Sequence, residues 1–182
     1  MDALTALLSR RTAQRFLPTP VDAEVLDRCL AAAHQAPCHK HTWPWRFTVV
    51  GPEARLVVTA AAIELKSAGK PVSEKQQAFF ESQFAHPGAL VAVSQVVATD
   101  AERAREDYAA CAAAIQNLQV AATAHGLHAK WSTGALTRHP EVLRILGLPT
   151  GEEVVGLVWV GVGMDPPNVV RPPLTEVVRR VP

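Results

Sequence analysis

Residues 36–47 hold more chemically active side chains than a connection between two elements requires. The stretch reads Ala-Pro-Cys-His-Lys-His-Thr-Trp-Pro-Trp-Arg-Phe. Its two prolines fix the backbone φ angle and remove two amide donors, so the loop is stiffened. A stiff loop with aromatic rings, imidazoles and a thiol suits a flat ligand with polar edges. We therefore treat this stretch as one wall of a candidate ligand site.

Two other interpretations of the stretch involve the thiol of Cys38. A zinc site built from Cys38, His39 and His41 has suitable ligand types, but ligands so close in sequence rarely complete a tetrahedron without distant partners. A nucleophilic Cys38 would need a base and a depressed pKa, and only His39 is adjacent. A purely structural alternative is that Trp43 and Trp45 anchor the first strand while the histidines are exposed.

A second candidate group is the basic cluster Arg10, Arg11 and Arg15, together with the neighbouring Thr12. Guanidinium forks match phosphate oxygens, and a threonine hydroxyl can add a hydrogen bond. The same residues also suit a solvated helix end, where arginine interacts favourably with the C-terminal helix dipole. Taken alone, the cluster favours the helix-end interpretation.

Residues 130–134, Lys-Trp-Ser-Thr-Gly, form a third group at the end of a predicted strand. Two hydroxyls and a glycine there let backbone donors come close to a ligand, although a simple strand-end turn explains them equally well. The chain carries no Rossmann glycine fingerprint, no Walker motif and no Gly-x-Ser-x-Gly elbow. A nucleotide site of those common types is therefore disfavoured.

The elements that must position these groups follow from hydrophobic spacing and from glycine and proline breaks. The pattern predicts a helix capped by Asp22 and further helices over residues 1–9, 53–67, 73–84, 100–125 and 140–147. Apolar runs predict strands over residues 47–50, 89–98, 127–132 and 154–162. The helix over 100–125 is nearly apolar all round, which is typical of a bundle centre or a subunit interface. Helices with about four strands between them indicate an α+β fold.

Composition limits the class of protein. The chain has 182 residues, 48% of them hydrophobic, and a net charge of +1. With no interdomain linker, residues 1–182 are expected to form a single domain with a substantial core. The balanced charge gives no electrostatic reason to bind nucleic acid or anionic lipid, so neither is an expected partner.

Cysteine usage and the N-terminus bear on the compartment. Three cysteines is an odd number, and Cys29 and Cys111 lie in apolar helical patterns typical of core residues. A reducing compartment, the cytoplasm, is therefore expected. Asp2 and the early arginines argue against a signal peptide, and no run reaches the roughly 18 apolar residues of a membrane span.

In combination, the three groups resemble the flavin-dependent nitroreductase family. The chain carries Arg-Arg-Thr-x-x-Arg-Phe at 10–16, Ala-Pro followed by Pro-Trp-Arg-Phe within 36–47, and Trp-x-Thr-Gly at 131–134 after a long apolar helix. Their order and spacing match over essentially the whole chain. The Ala-Pro-x-His-Lys loop at 36–40 is most similar to that of the short, minimal members.

This resemblance implies a fold and a function. The expected fold is a central, mostly antiparallel sheet of about four to five strands surrounded by helices, in an intertwined homodimer with two FMN sites at the subunit interface. The expected activity is that of an FMN-dependent oxidoreductase. NADH or NADPH would reduce the flavin, which would then reduce a nitroaromatic, quinone or related small acceptor in a ping-pong cycle without an obligatory catalytic side chain. A flavin carrier or sensor with little reductase activity is the alternative, and a non-flavin thiol or metal enzyme is a third.

The resemblance also implies roles for particular residues. One subunit would bind the ribityl phosphate and the flavin edge through Arg10, Arg11 and Thr12. The other subunit would line the isoalloxazine with Pro37, Cys38 and His39. The end of the fourth predicted strand would lie near the phosphate or the ring, through Trp131, Ser132, Thr133 and Gly134.

The resemblance also implies roles for residues outside these three groups. The nicotinamide nucleotide would be met by the helix end Ala121, Ala122, Thr123, Ala124, His125 and Gly126. Arg171 would be an additional phosphate ligand, and Gln35 stands where short relatives often carry a basic residue. Many relatives have asparagine and glutamine at the places of His41 and Trp43, so polar contacts around the ring are expected to differ. The candidates for stabilising the reduced flavin are His39, Lys40 and Lys130.

Overall fold

Six α-helices surround a four-stranded antiparallel sheet in the computed structural model, which describes residues 1–181. The helices are α1 (Ala3–Ser9), α2 (Ala23–His34), α3 (Pro52–Ser67), α4 (Glu74–Phe84), α5 (Ala101–Ala124) and α6 (Pro140–Leu146). The strands are β1 (Arg15–Phe16), β2 (Trp45–Val49), β3 (Ala89–Val96), β4 (His128–Ser132), β5 (Glu152–Gly161) and β6 (Gly163–Met164). The α+β prediction, its helices and its four main strands are confirmed.

The large sheet has the strand order β2-β3-β5-β4, and every neighbouring pair is antiparallel. The two shortest strands, β1 and β6, pair antiparallel with each other outside this sheet. The hydrophobic pattern of the sequence predicts neither of these two strands, because two residues are too few to show alternation. A parallel bridge between Thr12 and Ala129 then fixes the N-terminal segment against the edge strand β4.

Helix ends follow the capping chemistry expected from the sequence. The Asp22 carboxylate accepts a hydrogen bond from the Val25 amide, and Asp100 does the same for Arg103. Both contacts satisfy amide donors that the first helical turn leaves free. After α5, Gly126 has a φ of +76°, a left-handed conformation that glycine adopts without strain. The long helix therefore stops directly before β4.

Two apolar cores lie on opposite faces of the sheet. One is formed with α2 and α5 and contains Cys29 and Cys111, while the other is formed with α3, α4 and α6 and contains Phe16 and Trp159. Burial raises the pKa of the Cys29 thiol to about 11 and that of Cys111 to about 12, so both remain protonated. The prediction that they are core residues is confirmed. Within residues 1–181, none of the helices combines the length and apolar character that a bilayer crossing requires.

Gly156 of β5 provides a test of the packing between β4 and β5. A Cβ atom at this position would overlap the indole of Trp131, whereas a Cβ at Gly51 would meet open space. We expect Gly156→Ala to lower the free energy of unfolding by about 1–3 kcal/mol, because the indole must leave its position. We expect Gly51→Ala to change it by less than about 1 kcal/mol. Urea unfolding at one protein concentration measures both, and equal effects would contradict this packing.

Candidate functional site

Arg10, Arg11 and Thr12 form the link between α1 and the sheet. Arg10 caps α1 through its backbone amide, and its guanidinium donates to the buried Gln119 of α5 at 3.4 Å. The Arg11 guanidinium donates to the Leu8 and Arg10 carbonyls, each at 2.9 Å. The helix-end interpretation therefore describes Arg11 correctly. It does not account for Arg10, which points away from the helix end and toward α5.

Arg171 comes from the distant C-terminal segment to the same place. A cavity of about 130 Å³ is lined by Arg10, Arg11, Thr12, Pro167, Val169 and Arg171. Burial, followed by the charges of Arg171 and Arg11, lowers the pKa of the Arg10 guanidinium. Three cations share this lining without a carboxylate among them. Such a cavity is electrostatically suited to an anion, and planar forks favour phosphate oxygens.

A larger cavity of about 390 Å³ adjoins it, with Thr12 in the lining of both. The other lining residues come from the segment before β1, from α3 and α4, from β4 and from the turn after it: Gln14, Ala62, Leu65, Lys66, Phe84, Lys130, Trp131, Ser132, Thr133, Ala135 and Leu136. Gly134 has a φ of +86°, so the chain can turn sharply after Thr133. Apolar surface with a few polar groups is typical of a small-molecule site.

Two polar groups at the end of β4 differ in their hydrogen bonding. The Ser132 hydroxyl accepts a hydrogen bond from the Trp159 indole nitrogen at 3.1 Å. The Trp131 indole nitrogen is buried and makes no hydrogen bond within the described residues. A buried donor without a partner costs free energy unless a ligand or water satisfies it.

Lys130 lies in the wall of the larger cavity and is only 7% exposed. Its ammonium lies 4.5 Å from the centroid of the Phe84 ring and 5.9 Å from that of Trp159. Burial lowers the pKa of the Lys130 ammonium to about 8, and the positive charge of Lys66 adds to the effect. The ion pairs found in residues 1–181 do not include Lys130.

The loop over 36–47 is conformationally strained. It contains a short 3-10 turn at His39–His41, and three of its non-glycine residues have positive φ angles: Lys40 (54°), His41 (53°) and Trp43 (46°). Such conformations persist only where the surroundings enforce them. The Thr42 hydroxyl supplies one constraint, because it donates to the buried Asp107 carboxylate of α5 at 2.6 Å.

The tryptophans of the loop have different environments. Trp45 is 3% exposed, and its indole nitrogen is 3.0 Å from Nδ1 of His34, so it anchors β2 as the structural interpretation expected. Trp43 is 45% exposed, which makes that interpretation wrong for Trp43. The His41 ring stacks on Trp43 with centroids 5.3 Å apart and planes 8° apart. The loop therefore presents a flat aromatic surface to solvent in the single subunit.

Cys38 contacts the loop itself rather than a catalytic partner. Its sulfur lies 3.1 Å from the Thr42 hydroxyl and accepts the Trp43 amide at 3.3 Å. Among the hydrogen bonds of the described chain, none joins this thiol to the His39 imidazole. Residues 1–181 also contain no group of three or more His, Cys, Asp or Glu side chains placed to hold a metal ion. The geometry therefore offers no support for the thiol or zinc alternatives.

Several expected site residues are not brought to these cavities within one subunit. Pro37, Cys38 and His39 line neither cavity, and Gln35 is the C-terminal cap of α2. At the end of α5, Ala122 is completely buried, while His125 and Gly126 are exposed. Ala121, Thr123 and Ala124 are partly buried in the same helical turn. The structure thus joins Arg10 to Thr12, the end of β4 and Arg171, and leaves the loop and the end of α5 separate.

Comparison with known protein families identifies the family of this chain. The nitroreductase family model matches residues 7–162. The chain belongs to the nitroreductase family. The resemblance drawn from the sequence and the nitroreductase-like fold expected from it are thereby confirmed.

Two relatives in the family align with this chain over most of their length. The chain is 36% identical over 165 residues to YfhC of Bacillus subtilis strain 168, named as a candidate NAD(P)H nitroreductase, covering 88% of this chain and 84% of YfhC. It is 30% identical to YdjA of Escherichia coli K12, which has the same kind of name, with 88% of each chain covered.

Solved structures show the same fold. A nitroreductase-like protein from Bacillus cereus superimposes with a TM-score of 0.81 at 26% identity, covering 100% of this chain and 96% of that one. A nitroreductase-like protein from Desulfovibrio desulfuricans, solved in complex with FMN, has a TM-score of 0.75 at 23% identity and covers 100% and 98% of the two chains. The second likeness, at lower identity, concerns the fold alone.

Sequence reasoning missed part of the larger cavity. The sequence pattern does not single out Gln14 or Phe84, because each is an ordinary residue in its own segment, and Lys66 has the pattern of a common exposed helix lysine. The available signal was Lys130, a charged residue inside a predicted buried strand. A charge at such a place is unusual enough to mark a site.

The Thr42–Asp107 hydrogen bond yields a test of how the loop is held. Thr42→Val should lower the free energy of unfolding by about 1–3 kcal/mol, because the buried Asp107 carboxylate loses its hydroxyl donor. Thr150→Val, at an exposed turn, is the matched control and should change it little. Chemical denaturation at fixed protein concentration compares the two variants. Equal stabilities would show that the loop is not fixed through this contact.

Proposed function

We propose that this protein is an FMN-dependent NAD(P)H oxidoreductase that reduces nitroaromatic, quinone or related small acceptors. The observation that carries the proposal is the pair of adjoining cavities that share Thr12. One, the arginine cavity, is lined by three arginines and suits a phosphate. The other, the ring cavity, combines apolar and polar wall residues and suits a heterocycle with polar edges. A ligand with a phosphate at one end and a flat heterocycle at the other fits both.

The residues present are chemically suited to FMN. Arg10 and Arg171 would hold the phosphate, and Arg11 would contribute positive charge while its guanidinium caps α1. Thr12 lies where a ribityl chain would pass between the cavities. The FMN-bound neighbour supports FMN as the cofactor, and the names of the relatives support NAD(P)H as the reductant.

A second subunit would complete the site. Large apolar residues of α1 and of the C-terminal segment are strongly exposed in the single chain, including Leu4 (64%), Leu8 (70%), Val170 (87%) and Val181 (89%). Exposed apolar surface of this extent is typical of an interface. We therefore propose a homodimer with two FMN sites, in which Pro37, Cys38 and His39 of the partner subunit cover the flavin.

The bound FMN would supply the redox chemistry, taking a hydride from NADH or NADPH and then passing two electrons to the acceptor. The protein would bind, orient and shield, without an obligatory acid or base. The exposed His125 and Gly126 at the end of α5 are proposed to meet the nicotinamide nucleotide. The loop that carries the stacked His41 and Trp43 would border the acceptor position and affect its size.

The same stack supports a second candidate function. If the aromatic surface of His41 and Trp43 covers the flavin completely, neither nucleotide nor acceptor could reach it. The protein would then be a flavin carrier or sensor with little reductase activity. Reduction by small chemical reductants, but not by either nucleotide, would distinguish it.

Anaerobic reduction tests the proposed function. Protein reconstituted with FMN should be yellow, and excess NADH or NADPH should bleach the flavin absorbance, since the cofactor accepts the hydride. Dithionite reduction is the control for a competent flavin. A protein that binds no FMN contradicts the proposal, and flavin that dithionite reduces but both nucleotides leave oxidised indicates the carrier alternative.

Replacing Arg10 tests whether the arginine cavity binds the FMN phosphate. Arg10→Ala should weaken FMN binding by roughly 1.5–3 kcal/mol, or about 10- to 150-fold, because a charged hydrogen bond to the phosphate is lost. Arg28→Ala is the control, since Arg28 is exposed on α2 and pairs with the exposed Glu24. Fluorescence titration of apoprotein with FMN measures both. Riboflavin, which lacks the phosphate, should bind the wild type and Arg10→Ala equally.

A further inference from the structure

The Lys130 ammonium is unusual because it is buried in a cavity wall without a negative partner. Its side chain is 7% exposed and lies against the rings of Phe84 and Trp159. Ring faces attract a cation, but they replace only part of its lost hydration. The ion pairs of residues 1–181 join other side chains, so the fold supplies no carboxylate to this lysine.

The groups around Lys130 increase the free-energy cost of burying its positive charge. The charged group that acts on it is Lys66 of α3, which has the same sign. The neighbouring Ser132 hydroxyl is already engaged with the Trp159 indole nitrogen. The lining of the cavity contains no carboxylate. A ligand that brings negative charge into the cavity would stabilise the charged form of this lysine.

We propose that Lys130 stabilises the negative charge that bound FMN acquires on reduction, and thereby sets the reduction potential of the cofactor. The inference rests on the proposed function. Reduction of a flavin by NAD(P)H transfers two electrons and one proton to the ring, with NAD(P)⁺ as the oxidised product. One negative charge remains on the pyrimidine end when the second nitrogen stays unprotonated. Charge near that part of the ring is how a protein tunes a flavin.

The structure distinguishes Lys130 from the other two cations considered from the sequence. His39 and Lys40 are exposed in the loop over 36–47 and line neither cavity of their own subunit. Lys130 is held in the wall of the ring cavity by β4, which the Thr12–Ala129 bridge joins to the segment that follows Arg10. A preorganised charge in a low-dielectric wall acts more strongly than a solvated one.

This role predicts a difference between the two redox states of the cofactor. The ring of oxidised FMN is neutral, and its phosphate is assigned to the arginine cavity. Loss of the Lys130 charge should therefore weaken binding of reduced FMN more than binding of oxidised FMN. Lys130→Met and Lys130→Gln both remove the charge, whereas Lys130→Arg keeps it. Lys70→Met removes an exposed charge between α3 and α4 and is the matched control.

The test is the midpoint potential of the FMN-loaded full-length protein, measured anaerobically against a reference dye, together with the Kd of oxidised FMN. We expect the Met and Gln variants to lose at least tenfold in affinity for reduced relative to oxidised FMN. A tenfold loss corresponds to a potential about 30 mV more negative for a two-electron couple. Lys130→Arg should recover most of the shift, and Lys70→Met should leave the potential unchanged.

Unchanged potentials in either neutral variant that folds and binds FMN would overturn the inference. If the Kd of oxidised FMN rises while the potential stays constant, Lys130 is merely structural, which also overturns it. These outcomes are separate from failure of the proposed function. That failure would show as wild-type protein that binds no FMN, or that binds FMN which neither NADH nor NADPH reduces.

Discussion

The parallel bridge between Thr12 and Ala129 is the contact on which the geometry of the site depends. It fixes the segment after α1 to the edge strand β4, and so places Thr12 beside that strand, two residues after Arg10. Because Thr12 lines both cavities, the arginine cavity and the ring cavity lie next to each other. The short pairing of β1 with β6 lies directly after this bridge and directs the C-terminal segment, with Arg171, back to the same place. Arg10 and Arg171, far apart in the chain, thus line one cavity.

Local chemistry made much of the fold predictable. Asp22, Asp100 and Gly126 carry capping signals that depend only on neighbouring residues, and the buried strand β5 has an apolar run long enough to be recognised. The pair β1 and β6 was not predictable, because a two-residue strand has no periodicity. The location of Arg171 was inferred from family resemblance alone, since its approach to Arg10 depends on tertiary structure. Lys66 and Gln14 were missed for the same physical reason: only the folded chain brings α3 and the N-terminal segment to the end of β4.

The loop over 36–47 has a different relation to the site. Its strained residues Lys40, His41 and Trp43 are held in place by packing and by the Thr42–Asp107 hydrogen bond, yet the loop lines neither cavity of its own subunit. Strain that persists away from the local cavities is understandable if the loop acts on a neighbouring subunit. The proposed homodimer gives it that position. His41 and Trp43 would then influence which acceptors reach the flavin, and the thiol of Cys38 would help to fix the loop rather than react.

The central claim is that one FMN spans the two cavities that meet at Thr12. A crystal structure of the FMN-reconstituted protein tests it most directly. The account predicts density for the phosphate between Arg10 and Arg171, and for the ring system against the end of β4 beside Lys130. It also predicts that Pro37 to His39 of the partner subunit lie on the ring. FMN bound at another place, or a ring cavity that remains empty while the protein is saturated with FMN, would contradict the account.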